Sequence, residues 1–408
     1  MAHLSSSVGT VRTRFFEYSN PENPLRLRCG TELERFTLAY EIYGEINADR
    51  SNVILLFHAM TGSQHAAGIN REVSGLGDRW TDELHEGWWD GFIGPGKALD
   101  TRKFAVICAN YLGGCYGSTG PASINPETGR PWGASFPVLR IRDIVDSQVL
   151  LLKHLGVEKL HAVVGSSLGG FLALSFATHY PGRAKVVVPI ATGPETAILQ
   201  RILNFEQVSA IESDPNFCGG DYYAHARPDS GLALARRIAH KTFISLDAIQ
   251  ARAGTGIVSE TPPFGWYAMN SPVESYMLHQ GHKFVTRFDA NSYLRILDAW
   301  QWFNLLAETG AETLDELFSR CREQRFLLFS IDSDGAFPVE EQHKLAQLLK
   351  KAHVPTTWIT VHSDKGHDSF LLEPHLYTPH LSQILGDVSA SRRPTSRNSG
   401  LRSQRRAA

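Results

Sequence analysis

Val163-Val164-Gly165-Ser166-Ser167-Leu168-Gly169-Gly170-Phe171 is the stretch around which the chain is organised. The apolar run from His161 to Val164 predicts a strand, and Phe171-Leu172-Ala173-Leu174 opens a helix. Between them Gly165-x-Ser167-x-Gly169 has the spacing of a nucleophile elbow, a strand-to-helix turn so tight that it needs glycines on both sides. Such a turn leaves the Ser167 hydroxyl exposed at the end of the strand. It also aims the N-terminus of the following helix at the site, where backbone N–H groups stabilise an anion. The competing interpretation is a glycine-rich turn with an idle serine. It loses ground if the rest of the chain supplies a base, an orienting acid and a second oxyanion donor.

The 408 residues suffice for one large α/β core with an insertion. A hydrophobic fraction of 42% with 20% charged residues is that of a soluble globular protein with a sizeable core. A formal net charge of -2 provides no global field for nucleic acid or an anionic membrane, and neither is expected as a partner. The N-terminal Met1-Ala2-His3-Leu4-Ser5-Ser6-Ser7 lacks a basic-then-apolar leader pattern, and no apolar run is long enough to span a bilayer. Cys29, Cys108, Cys115, Cys218 and Cys321 are odd in number and scattered. They suit reduced thiols and a cytoplasmic location, with no zinc-finger spacing among them.

Strand and helix alternate along the first half. Leu25 to Arg28 and Phe36 to Tyr43 alternate in polarity and predict antiparallel strands with one wet face. Val53 to Phe57 and Phe104 to Cys108 are continuously apolar and predict central strands covered on both faces. Ile141 to Leu155 has helical periodicity, and Val186 to Ala191 is again a strand. This rhythm implies a mostly parallel sheet with helices on both sides. From about Pro194 to Leu317 only helical segments follow, most clearly Gly231 to Phe243 and Ser292 to Leu306. Phe326 to Ile331 and Thr356 to Val361 then restore the strands. The expected division is a core in residues 1–192, a helical insertion in 193–318, the rest of the core in 319–385, and a disordered Ser/Arg-rich tail in 386–408. In this architecture the insertion belongs over the strand ends, as a lid.

A serine hydroxyl needs an imidazole to take its proton, and the imidazole needs a carboxylate to fix its tautomer. The later strands supply both. Asp332-Ser333-Asp334-Gly335-Ala336-Phe337-Pro338 follows one of them, and Lys365-Gly366-His367-Asp368 follows the last. Among 17 histidines His367 stands out as the base, in a loop just past the last core strand and beside a glycine. Position alone leaves Asp332 and Asp334 both open as the acid, although Asp332, nearer the strand end, could instead cap the turn through its side chain. The loop His58-Ala59-Met60-Thr61-Gly62 is placed to offer the Met60 N–H beside that of Leu168 as the oxyanion donors. One decoy is rejected. Gly91-Phe92-Ile93-Gly94-Pro95-Gly96-Lys97 matches GxxxxGK, but Ala98 cannot hold magnesium and no buried strand precedes it. No His/Asp/Glu cluster has metal spacing, so neither metal nor resident cofactor is expected.

With these parts in place the chain resembles the homoserine O-acetyltransferase family, acyltransferases of the α/β-hydrolase fold with a helical lid. The resemblance rests on His58 to Gly62, Gly87 to Lys97, Asn110 to Tyr116 running into Gly117-Ser118-Thr119-Gly120-Pro121, Gly231 to Arg236, Arg287-Phe288-Asp289-Ala290-Asn291-Ser292-Tyr293, Ser333-Asp334 and Gly366-His367-Asp368. It spans roughly Arg12 to Leu385. It implies Asp334 as the acid, Arg236 as the partner of an amino acid's carboxylate and Asp368 as the partner of its ammonium. It further implies acetyl-CoA as co-substrate, L-homoserine as acceptor, a homodimer and a place in methionine biosynthesis. The elbow departs from the usual pattern at Ser166 and Leu168, and Met60 stands where leucine is usual. Relatives that use succinyl-CoA carry an arginine two residues after the catalytic aspartate. Ala336 is there instead, which favours acetyl. The triad leaves serine as acceptor, or hydrolysis of a small ester, as the alternative.

Overall fold

The computed structural model describes residues 7–256 and 265–390. Its centre is an eight-stranded sheet. The strands are β1 (Arg14–Ser19), β4 (Arg35–Tyr43), β5 (Val53–Phe57), β6 (Ala105–Ala109), β7 (Leu160–Ser166), β8 (Ala184–Ile190), β9 (Arg325–Ile331) and β10 (Thr356–Val361). They lie in the order β1-β4-β6-β5-β7-β8-β9-β10, and β2 (Leu25–Arg26) with β3 (Glu32–Leu33) forms a separate two-stranded ladder. The pairs from β6 through β10 are parallel, and β1 and β4 close one side antiparallel.

Continuous apolar strands follow from burial on both faces. In β5 every residue is buried. Leu55 and Phe57 join the core under α1 (Ile141–His154) and α2 (Leu168–His179), while Ile54 and Leu56 join the opposite core under α12 (Pro374–Ala390). Each such side chain contributes about 1.5–3 kcal/mol when fully withdrawn from water. Helix α2 is buried at every position but its last, His179, which is why its sequence is apolar on all sides. The edge strands show the converse: only Phe16 is buried in β1, and only Val361 in β10.

Between β8 and β9 the chain forms α3 (Ile198–Glu212), α4 (Asp229–Phe243), α5 (Leu246–Ala253), α6 (Pro272–Val285), α7 (Ala290–Gln301), α8 (Leu305–Thr309) and α9 (Leu314–Ser319). The single helix expected over Ser292 to Leu306 is two. The Asn304 side chain accepts from Ala307 N and starts α8 afresh, while Leu305 N donates to Pro194 O. The strand expected from Leu25 to Arg28 stops at Arg26, and β1 has no counterpart in the sequence pattern because one buried residue makes no alternation. The helix α10 (Val339–Lys351) covers β9 and β10 on the α2 side, and the one-turn α11 (Ser369–Leu372) precedes α12. The tail was expected to begin at Gly386, but α12 runs on to Ala390; Asp387-Val388-Ser389-Ala390 contains no helix breaker. The rest of that tail, residues 391–408, lies outside the described residues. Among the described residues no helix is long and apolar enough to cross a membrane, and all five cysteines are free.

The sheet order has one reversal. β5 lies between β6 and β7, so the chain departs to one side and then the other. Ligand sites of such sheets form at this switch point, beyond the carboxyl ends of the strands.

Candidate active site

Phe57 of β5 pairs with Gly165 of β7, so the segments that follow, His58 to Gly62 and Ser166 to Gly169, emerge side by side. Ser167 has φ 58° and ψ -125°, the strained backbone of a nucleophile elbow, and it immediately precedes α2. The flanking glycines are steric necessities. A Cβ on Gly165 would stand 2.0 Å from Gly169 O, and one on Gly169 would stand 2.3 Å from Phe57 O. The strain is held by Ser167 N donating to Ile190 O at 2.9 Å.

The hydroxyl was expected to be exposed. Instead Ser167 is 3% accessible and faces a cavity of about 240 Å3. The insertion supplies part of the wall, through Arg236, Phe243 and Arg287, which explains the difference. His367 lines the same cavity. Its Nδ1 lies 2.6 Å from Asp334 Oδ2, and Asp334 Oδ1 accepts the N–H groups of Ala336 and Phe337 at 2.8 Å each. The carboxylate is therefore oriented before the imidazole meets it. Phe337 stacks on the His367 ring at 5.2 Å and Phe370 meets it edge-on at 5.1 Å. Nε2, the atom a serine hydroxyl would approach, has no hydrogen-bond partner among the described residues.

Asp332, the other aspartate of that turn, faces away. Its Oδ2 pairs with His362 Nδ1 at 2.8 Å and its Oδ1 accepts Ser363 N at 3.0 Å, tying the ends of β9 and β10 together. Of the two aspartates that position left open, Asp334 alone reaches His367.

Met60 lines the cavity and Leu168 begins α2. Among the described residues neither backbone N–H has an acceptor, so two donors stand free beside Ser167.

Three charged groups of the cavity, Arg236, Asp368 and Arg287, form no ion pair among the described residues, whereas Glu83 pairs with Lys283 at 2.9 Å. The Arg236 guanidinium lies over the rings of Phe243 and Phe284, at 5.4 and 5.0 Å, and forms no ion pair or hydrogen bond among the described residues. Burial lowers its pKa, and the nearby Arg287 lowers it further. Asp368 keeps part of its surface open to the cavity, yet burial raises its pKa, partly offset by His367 and Arg236. Arg287 donates from Nη1 to Tyr116 Oη at 2.7 Å and Thr61 O at 3.4 Å, again without a carboxylate partner. Nothing in the spacing of Arg287 marks it for the site. The only signal was its membership in the run ending at Tyr293, whose Asp289 caps α7 and so fixes the turn that carries it. The rejected Gly91-to-Lys97 loop packs over the α12 side of the sheet, with Phe92 and Ile93 buried and Lys97 bound to Asp90 Oδ2 at 3.0 Å.

A family described as alpha/beta hydrolase fold matches residues 52–374. A homoserine O-succinyltransferase of Acidithiobacillus ferrooxidans is 41% identical over 386 residues, covering 94% of this chain and 97% of the relative. This chain belongs to the homoserine O-acyltransferase family of the α/β-hydrolase fold. A homoserine O-acetyltransferase of Mesorhizobium japonicum is also 41% identical, over 376 residues that cover 91% of this chain and 92% of that one. Within the homoserine O-acyltransferase family, the crystal structure of the Bacillus anthracis O-acetyltransferase superposes with a TM-score of 0.79 at 28% identity, covering 92% of this chain and 97% of the other. Esterase E22 superposes with 0.81 at 26% identity, covering 92% and 100%. Members with acetyl and succinyl names stand at equal identity, so resemblance over the whole chain does not select the acyl group.

Proposed function

We propose that this protein transfers an acetyl group from acetyl-CoA to the hydroxyl of L-homoserine through an acyl-enzyme on Ser167. The observation that carries the proposal is the convergence of Ser167, the His367–Asp334 pair, two free backbone donors and the unpaired Arg236 beside Asp368 around one cavity. In the first step Ser167 Oγ attacks the thioester carbonyl as His367 Nε2 takes its proton. The N–H groups of Met60 and Leu168 receive the oxyanion. The C–S bond then breaks, and His367 returns the proton to the departing thiol. In the second step the acceptor hydroxyl gives its proton to Nε2 as its oxygen attacks the acyl carbon; the bond from that carbon to Ser167 Oγ then breaks, and His367 passes the proton to Oγ.

The acceptor assignment follows from charge. An α-amino acid presents a carboxylate and an ammonium, and Arg236 and Asp368 complement them; the guanidinium offers a planar pair of donors. Water competes for the acyl-enzyme, so the insertion acts as the lid that excludes it. Acetyl is preferred over succinyl because Ala336 provides no cation for a second carboxylate. A homodimer is retained from the resemblance. Ile198, Leu199, Ile202 and Phe205 of α3 are exposed apolar side chains suited to a second copy, and light scattering returning only the 45.2 kDa monomer mass would remove it.

The test is product analysis with acetyl-CoA and succinyl-CoA against homoserine, serine and no acceptor. O-acetylhomoserine should dominate. Succinylhomoserine instead would reassign the donor and make Arg287 the partner of the extra carboxylate, and acceptor-independent CoA release would make the protein a hydrolase, as the likeness to an esterase allows. In the same assay Arg236→Ala should raise KM for homoserine about 10- to 100-fold, the loss of a charged hydrogen-bonded pair, with KM for the acyl-CoA little changed. An unaltered homoserine KM would dismiss Arg236 from that role.

A further inference from the structure

His58 is wholly buried, yet its Nε2 has no hydrogen-bond partner among the described residues, and it is no part of the constellation above. Its Nδ1 lies 2.7 Å from Ala59 O. A carbonyl only accepts, so Nδ1 carries a proton. Burial lowers the pKa to about 4, so the ring is neutral at ordinary pH and Nε2 keeps a bare lone pair. Leaving a buried acceptor unpaired is unfavourable, and the fold retains the residue regardless.

Ala59 O belongs to the same peptide unit as Met60 N–H. The chain has no cis peptide among its described residues, and in a trans peptide the C=O and N–H point in opposite directions. Gripping one end therefore aims the other. Ala59 O is gripped twice, by His58 Nδ1 and by Gly62 N at 2.9 Å. The ring itself cannot turn away. It stacks on Tyr111 at 3.7 Å, and the Tyr111 hydroxyl donates to His58 O. A Cβ on Gly62 would come within 2.9 Å of His58 Cβ, so the loop closes directly onto this side chain.

We infer that His58 is a positioning residue: by holding Ala59 O it fixes the Met60 N–H in the direction of the oxyanion that forms on Ser167 acylation. The inference rests on the acyl-transfer reading only in requiring a tetrahedral oxyanion at Ser167, whatever the acyl donor or acceptor. It gives the tyrosine of the Asn110-Tyr111-Leu112 stretch a role as well, as the plate against which the imidazole is clamped.

The test is the burst of p-nitrophenolate released when p-nitrophenyl acetate acylates Ser167, followed in wild type and in His58→Leu, His58→Asn and His58→Gln. An asparagine amide N–H can occupy the place of Nδ1, whereas a glutamine amide reaches the place of Nε2. His58→Leu should lower the acylation rate constant roughly 100-fold, at the lower end of the effect of deleting an oxyanion donor, with the saturation constant for the ester within about twofold of wild type. His58→Asn should recover most of that loss, and His58→Gln should not. If the leucine variant does not fold, the asparagine–glutamine contrast decides alone. A folded leucine variant that acylates at the wild-type rate, or glutamine rescuing as well as asparagine, overturns the inference and leaves the acyl-transfer reading standing. A wild-type protein that takes no acyl group overturns both.

Discussion

Ser167→Ala is expected to fold, to bind homoserine and acyl-CoA, and to lose turnover by about 10⁴- to 10⁶-fold, the range seen when a triad nucleophile is deleted. The alanine keeps the backbone of the elbow, since its Cβ meets the same constraint at φ 58°, and removes one heavy atom. What survives is the contribution of the oxyanion donors and of substrate binding, which act without the hydroxyl. Intact-protein mass spectrometry after mixing with acetyl-CoA should show an added acetyl group on the wild type and none on the variant. Turnover persisting at the wild-type level would sink the covalent route. It would leave His367 as a base for direct attack by the acceptor, and the strained elbow without a purpose.

Asp334→Asn is expected to lower kcat by about 10⁴-fold with little change in stability, and the direction follows from contacts already described. The Oδ1 position receives two N–H groups, those of Ala336 and Phe337. An asparagine must place its carbonyl oxygen there, because its NH₂ would oppose two donors. The NH₂ then faces His367 Nδ1, which can only accept from it. The single proton of the neutral ring moves to Nε2, where the serine proton should arrive, and the base is lost. Asp332→Asn is the control. It touches His362 and Ser363 rather than His367 and should leave kcat near the wild-type value. Equal losses in both variants would point to a general effect of the turn rather than to the tautomer.

Much of this was legible in the chain because the informative residues are forced by backbone geometry. Gly165 and Gly169 announce an elbow because no other residue fits against Gly169 O and Phe57 O. Val53 to Phe57 announces a central strand because both its faces are covered. Asp334 was different. Two aspartates separated by one serine look equivalent in a string, and only the direction in which each side chain leaves the turn separates them. Arg287 and His58 were harder still. Their significance lies in partners they lack and in the one peptide group they grip, and such facts arise when segments distant in sequence are brought together. The enclosed Ser167 has the same origin, since its cover, Arg236, Phe243 and Arg287, comes from segments some seventy or more residues later.

The order in which the ribosome delivers the parts has a consequence of its own. Ser167, the proposed nucleophile, leaves the exit tunnel 200 residues before His367, its proposed base, and β9 can join β8 only after the whole helical insertion has been made. On the proposed mechanism, a chain that ends before His367 thus carries Ser167 without the base that would activate it. On that mechanism reactivity arrives late, once the loop that follows β10 has brought His367 to Asp334. The long-range pairing that makes such a sheet slow to fold is also what keeps the unfinished enzyme chemically silent.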